Sequence, residues 1–163
     1  MTADPEGRGD FPATRDRAEG DALVDRIDSG LRDRGFGLWG LELVGTGEFV
    51  SFTGLSPVPG DGPRGGDLEI GWRLTRSAWH HGYATEAART VVDLAFGPLG
   101  LPRLWSMTAV TNTPSQAVMR RLGMAPHAHF DHPRIPPGHP PRPHVVYRLD
   151  RPSAGPARPP SGP

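Results

Sequence analysis

The feature that most constrains this chain is an alternating strand-like segment followed, after a short loop, by a helix with a single apolar stripe. From Leu68 to Leu74 the residues alternate, with Leu68, Ile70, Trp72 and Leu74 on one face and Glu69, Gly71 and Arg73 on the other. Ala84, Ala87, Ala88, Val91, Val92, Ala95 and Phe96 then recur at i, i+3, i+4, i+7, i+8, i+11 and i+12. That is the spacing of a helix laid on a sheet, so the chain is read as α/β (α+β).

The remaining segments fit the same plan. Asp16 with Glu19 forms a capping box for a first helix, whose stripe of Ala22, Leu23, Ile27 and Leu31 runs as far as Arg34. Phe36 to Val44 and Glu48 to Leu55 flank a Gly-Thr-Gly turn and predict a hairpin. Pro57 to Gly66 is a Gly/Pro-rich loop. Arg103 to Val110 predicts a strand. Thr113-Pro114-Ser115-Gln116 then opens a short helix, with Thr113 as cap, Pro114 in the first turn and Gln116 completing a capping box. Gly123 stops that helix at its C′ position. Met124 to Phe130 and His144 to Leu149 predict two more strands around a loop rich in Pro, His and Arg.

Composition removes several functions. At 163 residues the chain holds one ordinary domain plus tails, and it has no cysteine, which excludes disulfide scaffolds and Cys-based metal or redox sites. All 18 basic residues are arginine. Without lysine there is no P-loop lysine and no Schiff base. The absence of lysine beside 22 Gly and 20 Pro reads as coding bias, and a formal charge of zero gives no support to a nucleic-acid partner. Residues 1–10 read as a polar N-terminal remnant, 11–150 as the folded domain and 151–163 as a disordered Pro-rich tail. No apolar run is long enough to span a membrane and no secretion signal is apparent, so a cytoplasmic location without membrane partners is expected.

The chemistry concentrates where the strand meets the helix. In EIGWRLTRSAWHHGYATEAA, Gly82 lies at the helix start, where first-turn N–H groups point outward with the positive end of the helix dipole. Gly82 lets a phosphate approach the backbone, and the small Ala84 leaves room for a ligand chain. The alternative is an ordinary glycine-containing strand-to-helix connection.

Trp79-His80-His81-Gly82-Tyr83-Ala84 resembles the acetyl-CoA loop of the GNAT superfamily of N-acetyltransferases, of general form Q/R-x-x-G-x-G/A. The tryptophan and the GYATEA continuation are similar to the branch that acetylates ribosomal-protein N-termini (Rim-type). A second block, Asn112-x-x-Ser115 followed by Met119 to Met124, is similar to the family's Asn-x-x-Ala/Ser…Leu-Gly-Phe motif. The resemblance covers about Phe11 to Arg151, and its strings fit one bacterial subgroup.

That resemblance implies a mixed, mostly antiparallel sheet with splayed central strands and flanking helices. It implies acetyl-CoA as co-substrate, with the pyrophosphate on the amides of His80, His81, Gly82, Tyr83, Ala84 and Thr85. The pantetheine would run along Trp72, Arg73 and Leu74. The reaction would be direct transfer of an acetyl group to a primary amine, on a small molecule or a protein or peptide N-terminus, with no metal. Glu69 is the candidate base, the alternative being a solvent-facing strand residue. The position at which many relatives carry a proton-donating tyrosine is Met119, so Ser115 becomes the candidate acid, against an ordinary first-turn serine. Tyr147 is an outside candidate for the same role. Asn112 either ties the strand end to the co-substrate or caps the loop. A homodimer is compatible with this family.

His127, His129, His132, His139 and His144 crowd one segment, with alternation placing His127 and His129 on one face and His132 nearby. A zinc site needs three or four converging ligands, and these histidines are read instead as structural or substrate-facing. The resemblance further implies an N-terminal truncation, with a first strand and most of a first helix absent, from either a start codon placed too late or a degenerate copy. The alternative function is therefore a catalytically weak or inactive acyl-CoA-binding domain.

Overall fold

The structure, a computed structural model, describes residues 17–58 and 66–152, without the side chains of 17–23 and 26. The polar opening, the Asp16–Glu19 capping box, most of the Pro57–Gly66 loop and the tail beyond residue 152 lie outside the described residues. In chain order the elements are α1 (Arg17–Arg34), β1 (Leu38–Glu42), β2 (Phe49–Pro57), β3 (Leu68–Leu74), α2 (Tyr83–Phe96), β4 (Arg103–Ala109), α3 (Thr113–Arg121), β5 (Ala125–Asp131) and β6 (Pro143–Asp150). A 3-10 turn, Arg76–Ala78, links β3 to the loop before α2.

The strands make one six-stranded sheet in the order β1-β2-β3-β4-β6-β5. Every neighbouring pair is antiparallel except β3 and β4, which run parallel and share a ladder of a single pair, Glu69 with Trp105. Two seven-residue strands joined at one pair diverge over the rest of their length. The expected opening of the sheet thus sits at its centre. The β1–β2 hairpin closes through Gly47, which adopts a left-handed φ of 69° and donates its N–H to the Leu43 carbonyl at 2.8 Å.

α2 covers one face. Leu55, Ile70 and Leu104 from the sheet pack with Ala88, Val91 and Ala95 of the helix, and Met119 from α3 joins the same core. The alanines let the helix backbone lie close to the strands. A smaller cluster of Val50, Leu74 and Ala78 packs with Trp79, Tyr83 and Ala84, and it anchors the loop that leads into α2.

On the other face Trp105 is buried, its Nε1 donating to Asp67 at 2.6 Å and its ring meeting His127 edge-on at 5.0 Å. The Arg148 guanidinium lies 5.9 Å from the Trp105 ring centre and grips Asp150 through three contacts of 2.7 to 3.0 Å. Arg148 holds the Asp150 carboxyl below the usual carboxylate range, chiefly by hydrogen bonding.

The histidines do not share a face as strict alternation requires. A bulge between Pro126 and Ala128 leaves His127 as the extra residue, turned onto Trp105, while His129 pairs with Val145 of the core face. Among the described residues no three His, Asp or Glu side chains are grouped to hold a metal ion. His132 and His144 are instead buried together, ring centres 4.8 Å apart beside Phe130, at the base of the β5–β6 loop. The His144 Nδ1 is 3.1 Å from the Arg142 carbonyl, and His132 Nδ1 accepts the Arg134 N–H at 3.3 Å.

Burial, then the neighbouring His144 and Arg134, hold the His132 imidazole below its ordinary 6.5. The unfolded chain therefore binds a proton more readily than the folded one. Stability is full above about pH 6.5 and falls as the pH drops through the lower, folded-state value. Thermal melts from pH 8 to pH 5 should show Tm declining below pH 6.5, and the decline should be shallower in His132→Gln. Equal slopes in the two proteins would remove His132 as the cause.

Candidate functional site

A cavity of about 1170 Å³ opens between the end of β3, the start of α2 and the length of α3. Small-molecule pockets usually fall at about 300–1,000 Å³, so this one suits a large or extended ligand. Trp72, Arg73 and Leu74 form one wall. Trp79, His80, Gly82, Tyr83, Ala84 and Thr85 form the second, and Asn112 to Ser115 with Ala117, Val118, Arg120 and Arg121 form the third.

The second wall is shaped by two left-handed residues. His80 has φ 65° and Gly82 has φ 85°, and Gly82 is the N-cap of α2. The Gly82 carbonyl accepts the N–H groups of Thr85 and Glu86, both at 3.0 Å. The amides of Tyr83 and Ala84, at the first helical positions, have no intrahelical acceptor and lie on the cavity wall. Among the described residues nothing lies within 4 Å of where a Gly82 Cβ would stand, which leaves the approach to these amides open. Trp79 fixes the loop from below, its Nε1 donating to the Leu74 carbonyl at 3.1 Å, with the Arg76 guanidinium 5.8 Å from its ring centre.

Among the described residues four arginines, Arg73, Arg89, Arg120 and Arg121, line the cavity with one carboxylate, Glu86. The helix-start dipole adds to their field, so the cavity favours an anion. An anionic ligand with an apolar or amide-bearing extension matches this lining, since Trp72, Leu74, Ala78, Ala84 and Val118 supply apolar surface beside it.

Of the residues singled out in the sequence, eleven line this one cavity: Trp72, Arg73, Leu74, Trp79, His80, Gly82, Tyr83, Ala84, Thr85, Asn112 and Ser115. His81 is exposed outside the lining, stacked on Tyr83 with ring centres 5.3 Å apart. Glu69 is half-buried on the sheet face opposite α2, at the single β3–β4 pair, and is also outside the lining.

The second motif differs in its local detail. Asn112, rather than Thr113, is the N-cap of α3, and its Oδ1 accepts the Ser115 N–H at 3.2 Å. Asparagine is a stronger cap than threonine, and the cap lies one residue earlier, so Thr113 is the first helical residue. Gln116 then falls outside the capping-box position. Its Nε2 donates to the Val110 carbonyl at 2.9 Å, and its Oε1 accepts from the Tyr147 hydroxyl at 3.3 Å. Tyr147 is buried in the core, and its oxygen also accepts from Arg120 at 3.2 Å. Met119, at 1% exposure, is a core residue.

Asn112→Ala removes the cap and is expected to cost about 1 kcal/mol of stability, seen as a lower urea midpoint at unchanged m. An unchanged midpoint would mean that the cap contributes nothing to α3.

Arg89, Arg120 and Arg121 do not stand out in the sequence, because arginine abundance reads there as coding bias. The available signal was positional. Arg89 lies in the second turn of α2, and Arg120 and Arg121 close α3, the two helices that carry the motifs.

A family model described as an acetyltransferase (GNAT) domain matches residues 1–125. The FsC-acetyl coenzyme A-N(2)-transacetylase of Aspergillus fumigatus is 41% identical over 96 residues, which cover 55% of this chain and 39% of that protein. This chain therefore spans well under half of that relative's length. An acetyltransferase structure from Agrobacterium tumefaciens is 28% identical with a TM-score of 0.67, covering 90% of this chain and 78% of that one. A GNAT-family acetyltransferase from Bacillus anthracis superposes with a TM-score of 0.73 at 22% identity, covering 91% and 84% respectively.

Proposed function

The chain belongs to the GNAT acetyltransferase family, and on that premise we propose that it transfers the acetyl group of acetyl-CoA directly to a primary amine. The single observation that carries this reading is the cavity itself, in which an open helix start and the arginines of α2 and α3 face the end of β3. The diphosphate of the co-substrate is assigned to the amides from His80 to Thr85, and its pantetheine arm to Trp72, Arg73 and Leu74. Asn112 acts through Ser115, whose N–H it holds on the cavity wall.

In the transfer the amine nitrogen forms a bond to the thioester carbonyl carbon and the carbon–sulfur bond breaks. The nitrogen gives up one proton and the departing thiolate takes one up, leaving an N-acetyl amide and free CoA. We assign proton acceptance to Glu69, directly or through water, and donation to Ser115. The similarity of the Trp79 to Ala88 string to the ribosomal-protein branch makes peptide N-termini the first acceptors to try.

The test is thiol release from acetyl-CoA against a panel of small amines and short peptides, with calorimetric binding of acetyl-CoA run in parallel. Turnover with any amine supports the enzyme. Binding without turnover across the panel would support the weak or inactive acyl-CoA-binding domain, and absence of binding would overturn both.

A further inference from the structure

Two glycines face each other in the middle of the sheet, Gly54 on β2 and Gly71 on β3, paired in register. Their neighbours Leu55 and Ile70 point into the core under α2, so by alternation both glycines front the opposite face. The chain itself explains Gly54: a Cβ there would stand 2.0 Å from the Gly37 carbonyl oxygen. Among the described residues Gly71 has no such explanation. It does not adopt a positive φ, and no described atom lies within 4 Å of where its Cβ would be. A glycine inside a strand lowers sheet propensity and is kept where another backbone or a ligand comes close.

The surroundings show what lies there. Gly71 sits between Trp72, at the wall of the cavity, and Glu69, at the only β3–β4 pair. Beyond that pair the strands part, so the face holding Glu69 and Gly71 adjoins the opening between β3 and β4, and the next residues along β3, Trp72 to Leu74, line the cavity. The Thr53 hydroxyl donates to the Gly71 carbonyl at 2.8 Å from a buried position, which fixes the strand at this point.

We infer that Gly71 is a specificity-determining residue, the bare floor over which the amine acceptor reaches the thioester from the face opposite α2. The inference rests on the acetyl-transfer reading above. It assigns to this face an acceptor whose chain lies flat on the strand backbone, and Glu69 lies on the same face one alternation away. A side chain at position 71 takes the acceptor's place and leaves the co-substrate cavity as it was.

The test uses calorimetry with CoA and with three conjugates in which the CoA sulfur carries an acetamide whose nitrogen bears a butyl group, a phenethyl group or alanine amide. The reference compound carries the unsubstituted acetamide. Wild-type protein is expected to bind at least one conjugate tenfold or more tightly than the reference. Gly71→Val is expected to abolish that increment, Gly71→Ala to reduce it, and both to bind CoA within twofold of wild type. Both variants should also melt at or above the wild-type Tm, because a side chain in open space on a strand restrains the unfolded chain without a clash. A purely structural glycine predicts the reverse, lower Tm with the increment intact. The inference is overturned if no conjugate exceeds the reference in wild type, or if the increment survives in Gly71→Val. Failure of CoA itself to bind wild type would instead overturn the acetyl-transfer reading.

Discussion

Gly82→Glu is expected to weaken acetyl-CoA binding by at least about 100-fold, or about 2.7 kcal/mol, and to remove turnover with it. Two physical effects act together. The new carboxylate stands at the start of α2, where the cavity is lined by unpaired amides and arginines, and it competes with the diphosphate for the same donors. The residue must also hold φ near 85°, a left-handed conformation that costs a non-glycine residue about 1–2 kcal/mol. The two are separated by Gly82→Ala, which carries the backbone cost without the charge. Its Cβ enters open space, so no clash adds to the effect. Calorimetry should place Gly82→Ala between wild type and Gly82→Glu, and the gap between the two variants should narrow in high salt. A Gly82→Glu protein that binds acetyl-CoA like wild type would remove the helix start from the binding site and with it the main support for the proposed function.

The parts of this architecture that were legible in the sequence are those in which one physical cause dominates. Leu68, Ile70 and Trp72 pack with Ala88, Val91, Val92, Ala95 and Phe96 in the main core, Leu74 and Ala84 pack in the smaller cluster, and the strand and helix appear where the pattern puts them. Gly123 ends α3 with φ 84°, as its chemistry requires. Where causes compete, the sequence alone misleads. Asn112 and Thr113 are both cap residues, and only the path of the chain out of β4 decides which one precedes the first turn. His127 leaves the strand alternation because a bulge intervenes, and no single residue type signals that bulge. Arg89, Arg120 and Arg121 come together only because α2 and α3 flank the same gap. Glu69 was readable as a strand residue, but its distance from the cavity lining depends on the one-pair ladder between β3 and β4.

Gly54→Ala is expected to be the most destabilising of the glycine substitutions, by about 3 kcal/mol. The added methyl carbon would stand 2.0 Å from the Gly37 carbonyl oxygen and 2.7 Å from the Leu38 Cα, both backbone atoms that cannot rotate away. Gly54 also has φ 153°, a region that side chains rarely adopt. Relief requires β1 to move off β2, which breaks the Leu38–Gly54 register and the Leu55 N–H bond to the Gly37 carbonyl at 2.8 Å. For a domain of this size about 3 kcal/mol corresponds to a Tm lower by roughly 10 °C. Gly71→Ala changes the residue directly across the ladder on the same face, and it meets no atom of the described residues. The two substitutions are chemically identical and adjacent, so propensity and unfolded-state entropy nearly cancel between them. A large Tm loss at 54 with none at 71 would show that Gly54 is held by the Gly37 and Leu38 backbone and that stability does not require a glycine at 71. Equal losses at both positions would place Gly71 among the structural glycines and leave the acceptor face undefined.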